Sequence, residues 1–139
     1  MKKKNTKFIK DESKRLGFSS CGISKARFLS EEADNFEKWL TKGYQGSMSY
    51  LEKNIDKRLD PRLLVPGSKS VISLSNNYFP PKKLIDENNF IISKYAYGRD
   101  YHKILKKKLK KLFVSIREKI GEIEGRVFVD SAPIHERAW

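Results

Sequence analysis

Few residues in this sequence are of a type that does chemistry, and they sit apart. Asp130 lies in "GRVFVDSAPIHERAW", directly after the apolar run Val127-Phe128-Val129 and before Ser131, Ala132 and Pro133. A carboxylic acid where a strand gives way to a helix can meet a ligand or deliver a proton, and it can equally well cap the helix. His102 and His135 stand far apart, and neither has a cysteine or carboxylate at a familiar metal-ligand spacing. Both read as structural or surface histidines. The single cysteine, Cys21, excludes an intramolecular disulfide and cannot alone hold zinc or an iron–sulfur cluster. Set in an apolar stretch, it reads as a buried, inert thiol. No GxGxxG, P-loop, nucleophile elbow or HExxH is present.

Helix and strand signals alternate around these residues. In "NTKFIKDESKRLG", Phe8, Ile9, Glu12 and Leu16 follow helical spacing, Thr6 is a candidate cap, and Gly17 a stop. "FSSCGIS" reads as a strand. Ser30 is a candidate N-cap for "EEADNFEKWLTKG", where Ala33, Phe36, Trp39 and Leu40 share a face and acids fill the first turn. "GSMSYLEKN" reads as a shorter helix capped by Ser47. "KRLDPRLLVPG" reads as a loop, because Pro61 and Pro66 push Asp60 and Val65 out of α geometry. "SVISLSNNYFPP" is a second β-rich run, and residues 82 to 93 read as a surface connection.

After "KYAYGRD", Asp100 can cap the longest helix, whose apolar stripe runs from Ile104 through Leu105, Leu109, Leu112 and Ile116 to Ile120. Gly121 ends it. Arg126 to Val129 is expected to be a strand, and Ser131 with Pro133 to open a further helix at "IHERAW". This pattern predicts an α/β fold, or α+β, with a small sheet covered by helices. A length of 139 residues with 38% hydrophobic content supports one folded domain over residues 1–139. No run of about 18 apolar residues marks a membrane span, and a lone cysteine fits a reducing, cytoplasmic setting.

The formal charge of +13 is concentrated. Residues 2 to 15 hold seven Lys/Arg against two acids, and residues 94 to 111 hold eight against one. Such density suits a phosphate backbone, though a solvated lysine face explains it as well.

Four motifs in order, "GYQGSMSYL", "KRLDPRLLVPGSKSVISLSNNYFP", "KYAYGRDYHKIL" and "VDSAPIHERAW", resemble the N-terminal part of the epoxyqueuosine reductase family. The resemblance runs from about residue 7 to the last residue. It implies a cobalamin-dependent oxidoreductase that removes the epoxide oxygen of epoxyqueuosine in tRNA, with Asp130 as proton donor beside the cofactor. Opening an epoxide leaves a developing alkoxide, and an acid at the sheet rim supplies its proton. The resemblance further places Arg58 and Tyr97 by the corrin, with a surface salt bridge for Arg58 and plain packing for Tyr97 as the simpler alternatives. Tyr101 and His102 belong to "GRDYH" without an individual role.

The family also implies an external electron donor and a ferredoxin-like module with two 4Fe–4S clusters, for which this chain has no ligands. Residues 1–139 are therefore expected to be the N-terminal piece of a longer protein, inactive alone, without a metal site, and prone to self-associate where a cover is missing. Two alternatives stand beside this reading. One is a related corrinoid and iron–sulfur reductase with another substrate. The other is a non-catalytic basic RNA-binding domain using the lysines of residues 103 to 111 with Tyr95, Tyr97 and Tyr101.

Overall fold

In the computed structural model, which describes residues 2–81, 91–130 and 132–139, the chain forms four α-helices and two strands. In order these are α1 (Lys2–Arg15), β1 (Ser20–Lys25), α2 (Ser30–Thr41), α3 (Ile55–Leu59), β2 (Ser70–Ser75) and α4 (Tyr101–Ile120). Short 3-10 turns occupy Ser49–Glu52, Pro61–Leu63, Lys94–Ala96 and Glu136–Ala138. Ser131, expected as a helix cap, and most of the expected connection, residues 82–90, lie outside the described residues.

The two strands pair antiparallel: Ser19 N–H donates to Ser75 O at 2.8 Å, and Ala26 N–H to Lys69 O at 3.0 Å. The fold is thus a mixed helix/strand one with a small sheet, and the antiparallel pairing makes it the α+β form of the two the sequence allowed. Residues 126–129 lie outside this two-stranded sheet, contrary to the expected strand. Three apolar residues after a glycine carry too little pattern to fix a register, and a strand needs a ladder to exist.

The chain divides into two compact units. The first comprises Met1–Cys21, Leu74–Ile123 and Val127–Asp130. In it α1 packs on α4, with Ile9 and Ser13 of α1 and Leu112 and Ile116 of α4 buried. Helix α1 begins at Lys2, so Thr6 lies inside it and caps nothing. It ends as Gly17 predicts. With φ at +81°, Gly17 returns its N–H to Lys14 O while Phe18 N–H reaches Ser13 O, the two bonds of a Schellman motif. Helix α4 is the best-specified element: the Asp100 carboxylate accepts the His102 N–H at 3.0 Å, and Gly121, at φ +109°, closes the other end.

The second unit comprises Gly22–Ser73, Glu124–Arg126 and Ser131–Trp139. Here α2 packs on α3, and Leu29 and Leu59 are buried with their backbones joined, N–H to O, at 2.9 Å. Leu29 holds the N-cap position of α2 and Ser30 is already helical, so no side chain caps it. The expected loop at residues 57–67 contains structure instead. The short helix α3 stops at Leu59 because Asp60, preceding Pro61, is extended (φ −133°), and the Asp60 carboxylate then caps the 3-10 turn that starts at Pro61. The helices expected at "GSMSYLEKN" and "IHERAW" are single 3-10 turns, with Met48 and not Ser47 at the first one's N-cap.

Candidate functional site

The site grows from the start of α4. Gly98, at φ +81°, turns the chain, Asp100 caps the helix, and the first two helical residues are Tyr101 and His102. Capping therefore sets where these two rings go. They stack on each other with centroids 4.0 Å apart, and Tyr95 meets Tyr101 edge-on at 6.2 Å.

Both rings face Asp130. The Tyr101 hydroxyl donates a short hydrogen bond to Asp130 Oδ2, and His102 Nε2 stands 3.5 Å from the same oxygen. The other ring nitrogen of His102, Nδ1, is 3.0 Å from Asp100 Oδ1. One imidazole thus bridges two carboxylates, Asp100 and Asp130. Asp130 itself has φ +52°, the left-handed region that aspartate enters more readily than most residues. It caps no helix in the described residues: its partners are side chains, and the next turn starts only at Glu136.

The electrostatics follow from these contacts. The hydrogen bond to the Asp130 carboxylate pushes the Tyr101 phenol up to about 12, because ionising it would bring two anions together. The Asp100 carboxyl lies below its ordinary value, chiefly because it accepts from the His102 side chain. Asp130 and His102 are both about half exposed, with 51% and 48% of their side chains accessible. A carboxyl oriented by a phenol, approached by an imidazole and open on one side is the arrangement that general acid–base chemistry requires.

The remaining sequence candidates fall elsewhere. Tyr97 is half-buried in the first unit, just after the Lys94–Ala96 turn, four residues before Tyr101. Arg58 belongs to the second unit, where Nη2 donates to Tyr50 O at 3.1 Å and Nε to Lys53 O at 3.3 Å. Its partners are backbone carbonyls, so the salt bridge considered for it does not form among the described residues. His135 is edge-on to Phe36 at 5.6 Å and 3.8 Å from Glu32, a structural histidine as expected. Cys21 is half-buried rather than buried. Among the described residues no group of three His, Cys, Asp or Glu can hold a metal ion, and no helix is long and apolar enough to cross a membrane.

Tyr101 and His102 are the functional candidates to which the sequence assigned no role. Their signal was the Asp100 cap, which places both in the first turn of α4. The contact with Asp130 spans 29 residues and has no local signature.

The chain is thus a mixed helix/strand one with a half-exposed carboxyl held by a phenol beside an imidazole, and comparison with known proteins specifies the class. Residues 58–131 match the family described as epoxyqueuosine reductase QueG, DUF1730. An epoxyqueuosine reductase of Cellulophaga algicola is 57% identical over 99% of this chain and 45% of its own length. The Pseudomonas aeruginosa epoxyqueuosine reductase is 41% identical over 94% of this chain and 37% of its own length. Among solved structures, an epoxyqueuosine reductase with an epoxyqueuosine-modified tRNA-Tyr stem loop superposes with a TM-score of 0.85 at 25% identity, over 96% of this chain and 36% of that one. A selenomethionine-labelled epoxyqueuosine reductase gives 0.86 at the same identity.

The chain belongs to the epoxyqueuosine reductase QueG, DUF1730 family. It spans about half the length, 45%, of the Cellulophaga relative.

Proposed function

We propose that this chain is the part of an epoxyqueuosine reductase that carries the acid of the reaction, the reduction of epoxyqueuosine to queuosine in tRNA with cobalamin as cofactor. The observation that carries the reading is Asp130 held at one oxygen by Tyr101 and His102, in a member of that family. The tRNA stem loop in a related reductase supports tRNA as the partner.

Removing an epoxide oxygen as water takes two electrons and two protons. A bound low-valent cobalamin supplies a metal centre for the electrons, which come from an external donor. The residues of this chain handle the protons. Asp130 gives its proton to the oxygen released as the C–O bond opens. Tyr101 keeps the carboxyl aimed, and His102, half exposed, passes a proton from solvent back to Asp130.

Near Asp130 in the first unit, the exposed Tyr95 ring beside Tyr101 and the half-buried Tyr97 offer flat apolar surface to a corrin. For Arg58, in the other unit, a corrin contact rests on the family resemblance alone; its guanidinium keeps N–H donors beyond the two given to backbone carbonyls. Iron–sulfur ligands are another matter. With one cysteine here, the proposal places the two 4Fe–4S clusters in the part of the relatives' length that these residues do not span. A reducing cytoplasm is the setting in which such clusters and a free Cys21 persist.

The test is direct. The protein as encoded in full, supplied with cobalamin, a low-potential reductant and tRNA bearing epoxyqueuosine, is assayed by mass spectrometry of the digested nucleosides. Queuosine is the expected product. Persistence of epoxyqueuosine, with cobalamin and tRNA both bound, contradicts the reading, and cobalamin-dependent reduction of a different substrate would support the alternative reductase.

A further inference from the structure

We propose that the groove between α1 and α4 takes the sugar–phosphate backbone of the RNA substrate, an inference that rests on the reading above for the identity of the RNA. The groove holds about 770 Å³, and six of its lining residues are basic: Arg15, Lys103, Lys106, Lys107, Lys110 and Lys111. The five lysines recur at helical spacings of three and four, so they form one stripe along a single face of α4. Eight residues separate the first from the last, about 12 Å of helix axis.

This stripe is uncompensated. From Tyr101 to Arg117, α4 contains no acid, and none of the five lysines is ion-paired among the described residues. Glu12, the nearest acid on α1, is already committed to Arg15 at 2.6 Å. Like charges at i, i+4, as in Lys103–Lys107, Lys106–Lys110 and Lys107–Lys111, weaken a helix. A polyanion laid along the face removes that repulsion and releases its own counterions. By contrast Lys108, on another side of α4, is engaged with Asn76 and with the ring of Phe18.

Position ties the stripe to the site. His102 shares its helical row with Lys106 and Lys110, four residues apart each time, and His102 is the residue that faces Asp130. A ligand that presents its reacting group to Asp130 can therefore run its phosphates down the same face of the same helix. An anionic membrane fits less well, since interfacial helices set a broad apolar face beside their lysines. The apolar face of α4 is spent on α1, through Leu112 and Ile116, leaving Ile104 and Val114 exposed.

The test measures binding of a fluorescently labelled tRNA transcript by anisotropy over a salt series, for the full-length protein and a Lys107→Gln, Lys110→Gln, Lys111→Gln variant. The log–log salt slope is expected to shrink by about 2 to 3. A control variant, Lys2→Gln, Lys3→Gln, Lys7→Gln, removes the same charge from α1 and leaves the slope nearly unchanged. An unchanged slope in the α4 variant overturns the groove, and so does an equal loss in the control, which would report bulk charge only. Loss of binding to phosphatidylserine vesicles without loss for tRNA also overturns it, in favour of a membrane. A slope change in a protein that reduces no epoxide keeps the groove and removes the reading of the substrate.

Discussion

His102 Nε2 stands 3.5 Å from Asp130 Oδ2, while its Nδ1 lies 3.0 Å from Asp100 Oδ1. The same aspartate that caps α4 therefore also orients the imidazole that faces Asp130. Helix start and proposed acid–base site share one residue, and disturbing either is expected to show in the other.

Asp100→Ala tests this link. Loss of an N-cap lowers melting temperature by a few degrees in a protein of this size. If capping and site are joined, the variant also slows epoxide reduction, and Asp100→Asn or Asp100→Ser, which keep a capping oxygen, restore the melting temperature before the rate. A destabilised variant with full turnover would separate the two roles.

The Tyr101–Asp130 hydrogen bond is expected to be visible in alkaline titration. Of the six tyrosines, Tyr101 should ionise last, near 12, because its proton is held by the Asp130 carboxylate. A folded value above the unfolded one means the bond stabilises the fold below pH 10 and loses that contribution as pH rises through 12. Phenolate absorbance near 295 nm should show one delayed group, absent in Tyr101→Phe and shifted back toward 10 in Asp130→Asn. No delayed group in the unsubstituted protein, with the same titration in Asp130→Asn, would mean that the bond does not form in solution.

Acid stability is expected to depend in part on the α1–α4 seam. Glu12 accepts from Arg15 at 2.6 and 2.7 Å, with Ser115 as a further donor, and this holds its carboxyl down from 4.5 to about 2. A depressed carboxyl stabilises the fold above its unfolded value and loses that contribution as pH falls from about 4.5 toward 2. Melting temperature should decline over that range, and more shallowly in Glu12→Gln, which starts lower. Parallel declines would assign acid unfolding to other groups.

Residues 1–139 in isolation should bind cobalamin weakly and self-associate. Tyr78, Phe79, Ile91, Ile92 and Tyr95 are each more than half exposed within the first unit, an apolar concentration that favours association. Titration followed by absorbance, combined with light scattering, checks both. Tight binding by a monomer would show that these residues complete the pocket.

Much of the fold was legible where a local rule decides it. Asp100 and Gly121 bracket α4, Gly17 ends α1, and "SCGIS" and "SVISLS" pair as strands. Legibility failed where the outcome depends on a distant partner. Val127-Phe128-Val129 has strand composition but joins no described ladder, and Ser47 has cap chemistry while only one 3-10 turn follows. Asp130 was singled out as a site residue from its neighbours, yet its expected place at a strand-to-helix junction was wrong in detail. The residues that address it, Tyr101 and His102, became evident only when α4 brought them together across 29 positions.

The central claim is that Asp130 supplies the proton, and the Asp130→Asn variant of the full-length protein tests it most directly. Asparagine keeps the size and a hydrogen bond to Tyr101 but has no acidic proton. Conversion of epoxyqueuosine to queuosine, followed by mass spectrometry with cobalamin and tRNA saturating, should fall by on the order of 10²-fold or more, with melting temperature and cobalamin affinity maintained. Turnover equal to that of the unsubstituted protein would contradict the account.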